Sequence, residues 1–195
     1  LVIRELLDEL NIKGAIGIGA AFGGHILKDL HKTDSSYFKT LILSSCFMKK
    51  STKMSMYEKQ TYSTLKTAMK ESDFFDLFAD GWLDASYLQM FGPAYIELRK
   101  GPKEVLIKYL KGILNQMESL IGINNVISPS QLKRFSIPVL VIHGDRDNLI
   151  PPGRGRELGA ILPNGSFVTL KHTNHILQEE SPKEFAEAVR DFLNK

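Results

Sequence analysis

This chain has one cysteine, one tryptophan, no long apolar run and no strong excess of charge of either sign. With Cys46 alone, no internal disulfide can form, which fits a reducing compartment and an expected cytoplasmic location. No apolar stretch reaches the roughly 18 residues that a membrane span needs. Lys and Arg number 25 against 22 Asp and Glu, a formal charge of +3. That excess is too small to argue for a nucleic-acid binder, which usually shows a concentrated basic face, and no nucleic-acid partner is expected. The densest basic stretch, Lys49-Lys50-Ser51-Thr52-Lys53, reads as a solvated loop. Acidic residues interrupt the opening Leu1-Val2-Ile3-Arg4-Glu5-Leu6-Leu7, and no small-residue cleavage site follows, so these residues are not expected to act as a signal peptide. They read as an amphipathic helix already under way, as if the chain began inside a domain. No repeat and no low-complexity segment is present.

What is present is the composition of a globular protein, 43% hydrophobic and 24% charged over 195 residues. The length suffices for one domain with a helical insertion. Leu1, Ile3, Leu6, Leu7 and Leu10 recur at helical spacing up to a stop at Asn11. Ala15-Ile16-Gly17-Ile18-Gly19 is short, apolar and flanked by glycine, as a buried parallel strand is, and runs into a helix over Phe22–Leu30. Further strands are predicted at Phe38–Cys46, Ile137–His143 and Ser166–Leu170, with a helix over Gly153–Leu162. Ser181, Pro182 and Glu184 predict a capping box opening a last helix, which should bury Phe185, Val189, Phe192 and Leu193. Alternating helices and strands make this an α/β fold, a parallel sheet with crossover helices.

Residues 50–118 lack any strand pattern. Met54, Met56, Met69, Met90, Phe74, Phe75, Phe78, Trp82, Phe91 and Tyr95 are scattered there at loosely helical intervals, broken at Gly81 and at Gly101-Pro102. Three divisions follow: a core segment 1–49, a helical insertion 50–128 and a second core segment 129–195.

Three loops stand at the C-terminal ends of predicted strands, where open parallel sheets place their sites. The first is Gly19-Ala20-Ala21-Phe22-Gly23-Gly24. The glycines Gly17, Gly19 and Gly23 also permit a dinucleotide-binding reading. Against it, Phe22 stands where the third glycine of the fingerprint belongs, and the next strand ends in Ser44-Ser45-Cys46-Phe47 with no ribose-binding acid. The second loop is His143-Gly144-Asp145-Arg146-Asp147-Asn148-Leu149-Ile150-Pro151, and the third is His172-Thr173-Asn174-His175-Ile176-Leu177-Gln178-Glu179-Glu180-Ser181-Pro182. A single Asp after a strand is usually a turn residue and a single His usually packs. Both loops, in order, at successive strand ends outweigh that reading, whereas His25, His31 and His143 lack such context and are expected to be structural.

Together these loops resemble the α/β-hydrolase superfamily of serine hydrolases, in its C-terminal part with a cap insertion. Strand, tight turn and helix, with small residues two before and two after the centre, resemble the nucleophile elbow G-x-S-x-G, with Ala21 at the serine position. The resemblance implies that Asp147 is the acid, with Asp145 as its rival, and His175 the base, with His172 on its strand side. The order nucleophile, acid, histidine is that of this fold. It further implies that the Phe22 backbone N–H supplies half of an oxyanion hole, the other half coming from a loop after an earlier strand that these residues do not include. The superfamily acts on esters or thioesters through an acyl-enzyme, and no metal or organic cofactor is expected. Trp82, Met90 and Phe91 are candidates for contact with an apolar acyl chain, although they equally suit simple packing.

Ala21 has no attacking atom, so the chain is expected to be inactive as written. Two readings follow: a serine hydrolase whose serine has been replaced, or a natural non-catalytic relative that binds or scaffolds. The intact acid and histidine loops favour the first. A partner-binding module, hinted at by Phe74, Phe75 and Phe78, is the third class. Four parallel strands side by side would leave Ala15–Gly19 as an open edge, expected to be covered by a preceding segment or a second chain.

Overall fold

A computed structural model describes residues 2–49, 52–68, 100–120 and 127–195. Trp82, Met90 and Phe91, with Phe74, Phe75 and Phe78, lie outside the described residues. The chain divides into one unit of residues 1–49 and 125–195 and another of residues 50–124.

The first unit is built on four parallel strands, β1 (Ala15–Ala20), β2 (Phe38–Ser44), β3 (Val139–Gly144) and β4 (Gly165–Leu170), in the order β1-β2-β3-β4. Helix α1 (Val2–Glu9) precedes them, and α2 (Phe22–Thr33) joins β1 to β2. β2 stops two residues short of the expected Cys46 because Ser45, at φ 51°, turns the chain out of the extended conformation. β3 starts at Val139 rather than Ile137, since Pro138 has no N–H to give to the ladder and only its carbonyl pairs, with the Leu41 N–H.

Alternation along β2 sorts the core into two. Leu41 and Leu43 face a cluster with Leu30, Phe38, Leu132, Val141 and Leu158, whereas Ile42 faces Leu140, Ile142, Leu170 and Leu177 on the opposite side. β2 and β3 are almost wholly buried, which is why they read as continuous apolar runs. Among the described residues β1 is an edge strand, with Ile16 and Ile18 exposed at 42% and 57%.

Two helical details depart from expectation. The last helix, Pro182–Leu193, has no side-chain cap at Ser181, whose hydroxyl lies 2.6 Å from Thr173 Oγ1 instead. Its apolar face is half-buried rather than buried: Phe185, Val189 and Phe192 pack on the Ile42 cluster, and Leu193 is exposed. A capping box does form earlier. Ser128 accepts the Gln131 N–H and the Gln131 side chain accepts the Ser128 N–H, opening α5 (Pro129–Leu132).

The second unit contributes α3 (Thr52–Ala68) and α4 (Lys103–Leu120), where the Tyr62 hydroxyl donates to Glu118 at 2.7 Å. In the first unit, α6 (Pro152–Ile161) connects β3 to β4. The short α7 (Leu177–Glu180) precedes the last helix, α8. Among the described residues no helix is long and apolar enough to cross a membrane.

Lys28 of α2 is only 2% exposed, and its Nζ donates to the Phe47 carbonyl at 2.7 Å. Burial pulls its pKa down from 10.5 to about 8, partly offset by the nearby Cys46. The folded chain therefore binds fewer protons than the unfolded chain between these values, and this group's contribution to stability rises with pH across that window. Below pH 8 the ammonium stays charged and buried, a cost of roughly 3 kcal/mol at most. Lys28→Met removes that cost and leaves the Phe47 carbonyl without its donor, so a net gain of about 1–2 kcal/mol is expected at pH 7. Urea unfolding at pH 7 and pH 10 checks this, since the gain should disappear at pH 10; equal differences at both values contradict it. Cys46, pushed up to about 11 by burial, acts in the opposite direction above pH 9, so the two variants must be compared at each pH.

Candidate active site

Three of the four non-glycine residues with positive φ among the described residues stand at strand ends: Ala21 at 46°, Ser45 at 51° and His172 at 56°. Ala21 links β1 to α2 with φ 46° and ψ −112°, and its N–H donates to the Ser44 carbonyl at 2.8 Å. An L-residue in that region costs about 1–3 kcal/mol. The turn is possible because β1 and α2 approach almost to backbone contact. A Cβ on Gly19 would collide with the Gly23 and Gly24 backbone, and one on Gly24 with Cys46 Sγ. A Cβ on Gly23, the small residue two after the centre, meets nothing within 4 Å among the described residues, so of the two helix glycines it is Gly24 that is closed to a side chain. Phe22 opens α2, and its N–H is among the four that a helix start leaves without an intrahelical acceptor.

Asp147 lies in the loop after β3 and is 3% exposed. Its Oδ1 accepts the N–H groups of Leu149 and Ile150 at 3.0 and 2.8 Å, which fixes the carboxylate plane. Its Oδ2 is 2.8 Å from Nδ1 of His175, which is 6% exposed. The pair is in contact, and Nε2 of His175 is the ring nitrogen left for other chemistry.

The other candidates sit elsewhere. Asp145 Oδ2 lies 3.9 Å from Lys171 Nζ, and no described hydrogen bond joins it to His175. His172 is exposed, with Nδ1 2.7 Å from Arg146 Nη2. A guanidinium only donates, so His172 Nδ1 accepts and its ring proton is on Nε2. His25, His31 and His143 are all buried; burial lowers the pKa of His143, and its Nε2 is 2.8 Å from the Cys46 carbonyl. Among the described residues no group of three His, Cys, Asp or Glu is placed to hold a metal ion.

Sequence reasoning missed two neighbours of His175. Ser45, 1% exposed, donates its hydroxyl to the His175 carbonyl at 2.7 Å. Glu180 accepts from the N–H groups of Asn174 and Ile176 and from the Asn174 side chain, at 2.7–3.0 Å. An acidic residue between histidine and proline was visible in the sequence, but Glu179 fits that position as well as Glu180.

The chain is similar over 98% of its length to the uncharacterized hydrolase YugF of Bacillus subtilis (strain 168), with 24% identity and 70% of that protein covered. Among solved structures it superimposes on MGS-M2, an α/β hydrolase enzyme from a Medee basin deep-sea metagenome library, with a TM-score of 0.75 and 20% identity, covering 100% of this chain and 70% of that one. It also superimposes on a thermophilic esterase from Thermogutta terrifontis, with a TM-score of 0.73 and 16% identity, covering 97% and 68%. These likenesses establish the α/β-hydrolase fold. A family model described as serine hydrolase (FSH1) matches residues 2–181, and this chain therefore belongs to that family.

Proposed function

We propose that the chain carries the site of an ester or thioester hydrolase working through an acyl-enzyme, inactive as it stands because Ala21 occupies the nucleophile position. The observation that carries this reading is the backbone of Ala21, at φ 46° and ψ −112°. Alanine gains nothing from that conformation, whereas a serine there would be lifted on a sharp turn at the end of a strand. In the proposed cycle, His175 Nε2 takes the hydroxyl proton of such a serine as its Oγ bonds to the substrate carbonyl carbon. The Phe22 N–H donates to the carbonyl oxygen as it becomes an oxyanion. His175 then passes the proton to the leaving alcohol or thiol, and water repeats the sequence to release the acid. Asp147 holds the Nδ1–H tautomer and stabilises the imidazolium. No metal or organic cofactor has a part in these steps.

The likeness to the Thermogutta protein, an esterase, supports an ester substrate. The proposal also gives residues 50–128 the role of a cap, with Trp82, Met90 and Phe91 against the acyl group. It further assigns the open edge of β1 to a covering segment or second chain. Concentration-dependent self-association of the 195-residue chain in sedimentation is expected from that edge, and a stable monomer at high concentration counts against it.

Ala21→Ser tests the central claim. Treated with a fluorophosphonate, the serine variant should take up one phosphonyl group on Oγ, expelling fluoride, while the alanine protein stays unlabelled. A non-catalytic binding or scaffold protein is the second reading, favoured by Ala21 itself. It prevails if the serine variant is not labelled and leaves short and long acyl esters intact.

A further inference from the structure

The ring of His175 projects from a loop, and rotation of the peptide units that flank the Asn174–His175 pair would swing the imidazole away from Asp147. Two peptide units bracket Asn174 and His175, and each is held at both ends. In the first, the Thr173 carbonyl accepts the Arg146 N–H at 2.9 Å, while the Asn174 N–H donates to Glu180 Oε2 at 2.8 Å. In the second, the His175 carbonyl accepts the Ser45 hydroxyl at 2.7 Å, while the Ile176 N–H donates to Glu180 Oε1 at 3.0 Å. One carboxylate thus takes the N–H end of both units. We propose that Glu180 and Ser45 are positioning residues that clamp the backbone on either side of His175 and so aim its ring at Asp147. This rests on the reading of His175 and Asp147 as the acid–base pair.

Several observations favour a clamp over a simple helix cap. Glu180 does accept the N–H of Ile176, which precedes α7, as a capping side chain would. A cap needs nothing more, yet the same carboxylate also binds the Asn174 N–H and, at 2.7 Å, Asn174 Nδ2. Among the described residues no cation forms an ion pair with it, so N–H donors alone orient its charge. Ser45 comes from a different strand end and holds the opposite end of the second peptide unit. Its hydroxyl reaches that carbonyl from a backbone at φ 51°, a conformation that also ends β2.

The test uses the Ala21 chain as it exists and needs no activity. In the ¹⁵N-labelled protein, the Nδ1–H of His175 in contact with Asp147 should give a strongly downfield, slowly exchanging proton resonance. Asp147→Asn should abolish it, as the underlying reading requires. Glu180→Gln places an amide N–H₂ where one carboxylate oxygen accepted, and Ser45→Ala removes the hydroxyl. In each the resonance should broaden to loss at 25 °C while the remaining spectrum stays dispersed. A resonance that persists in both variants, even with lowered thermal stability, overturns the clamp and leaves Glu180 a helix cap. A resonance that survives Asp147→Asn overturns the acid–base reading and the clamp with it.

Discussion

In an Ala21→Ser background, Asp147→Asn should slow acylation by roughly ten-thousand-fold, an effect of the size seen when a triad loses its correct tautomer. The reason lies in how the carboxylate is held. Oδ1 accepts two backbone N–H groups, from Leu149 and Ile150, and Oδ2 faces His175 Nδ1. An asparagine must keep its carbonyl oxygen at the Oδ1 position, because an amide N–H₂ cannot accept those two donors. Its N–H₂ then faces His175 and forces Nδ1 to accept. The ring proton moves to Nε2, the nitrogen that receives the serine proton in the proposed cycle, and the proposed general base is lost. The measurement is single-turnover release of alcohol from a short acyl ester, comparing Ala21→Ser alone with the double variant. A loss of less than tenfold would mean that Asp147 does not set the tautomer. Asp145→Asn, whose carboxylate is directed to Lys171 at 3.9 Å, should change the same rate by no more than a few-fold.

The parts of the molecule that the sequence discloses are those fixed by local pattern. Leu41–Leu43 and Val139–Ile142 are buried on both faces, so they read as uninterrupted apolar runs. The contact of Asp147 with His175 was legible because both residues occupy turns that directly follow strands, and parallel strands bring such turns to one end of the sheet. What the sequence concealed depends on approach between segments distant in the chain. The elbow pattern picks out Gly23, two after the centre, and only the seating of α2 on β1, with Cys46 behind it, makes Gly24 the intolerant one. Ser45 reaches a carbonyl 130 residues away. Ser181 looked like a helix cap, but its hydroxyl is engaged by Thr173 across the loop. Local propensity had no means of registering that competition.

Gly144→Ala should be among the most damaging single methyl groups in the first unit, costing about 3 kcal/mol or more of stability. Gly144 ends β3, and a Cβ there would run into the backbone carbonyls of Thr173 and Asn174. A flexible side chain could turn away, but these are main-chain atoms of the histidine loop. The Thr173 carbonyl already accepts the Arg146 N–H, and the peptide it belongs to is tied through the Asn174 N–H to Glu180. Relief therefore requires the whole loop to move outward, breaking the Arg146 bond and drawing His175 from Asp147. Stability and site geometry should fail together. The variant's urea midpoint should fall, and the downfield His175 resonance should vanish even under conditions where the chain remains folded. By contrast Gly23→Ala, with open space around its Cβ among the described residues and a helical position that favours alanine over glycine, should be neutral or stabilising by up to about 1 kcal/mol. If Gly144→Ala matches the parent in urea midpoint and keeps the resonance, the loop has slack that its hydrogen bonds do not suggest. The coupling between the end of β3 and the orientation of His175 would then have to be abandoned.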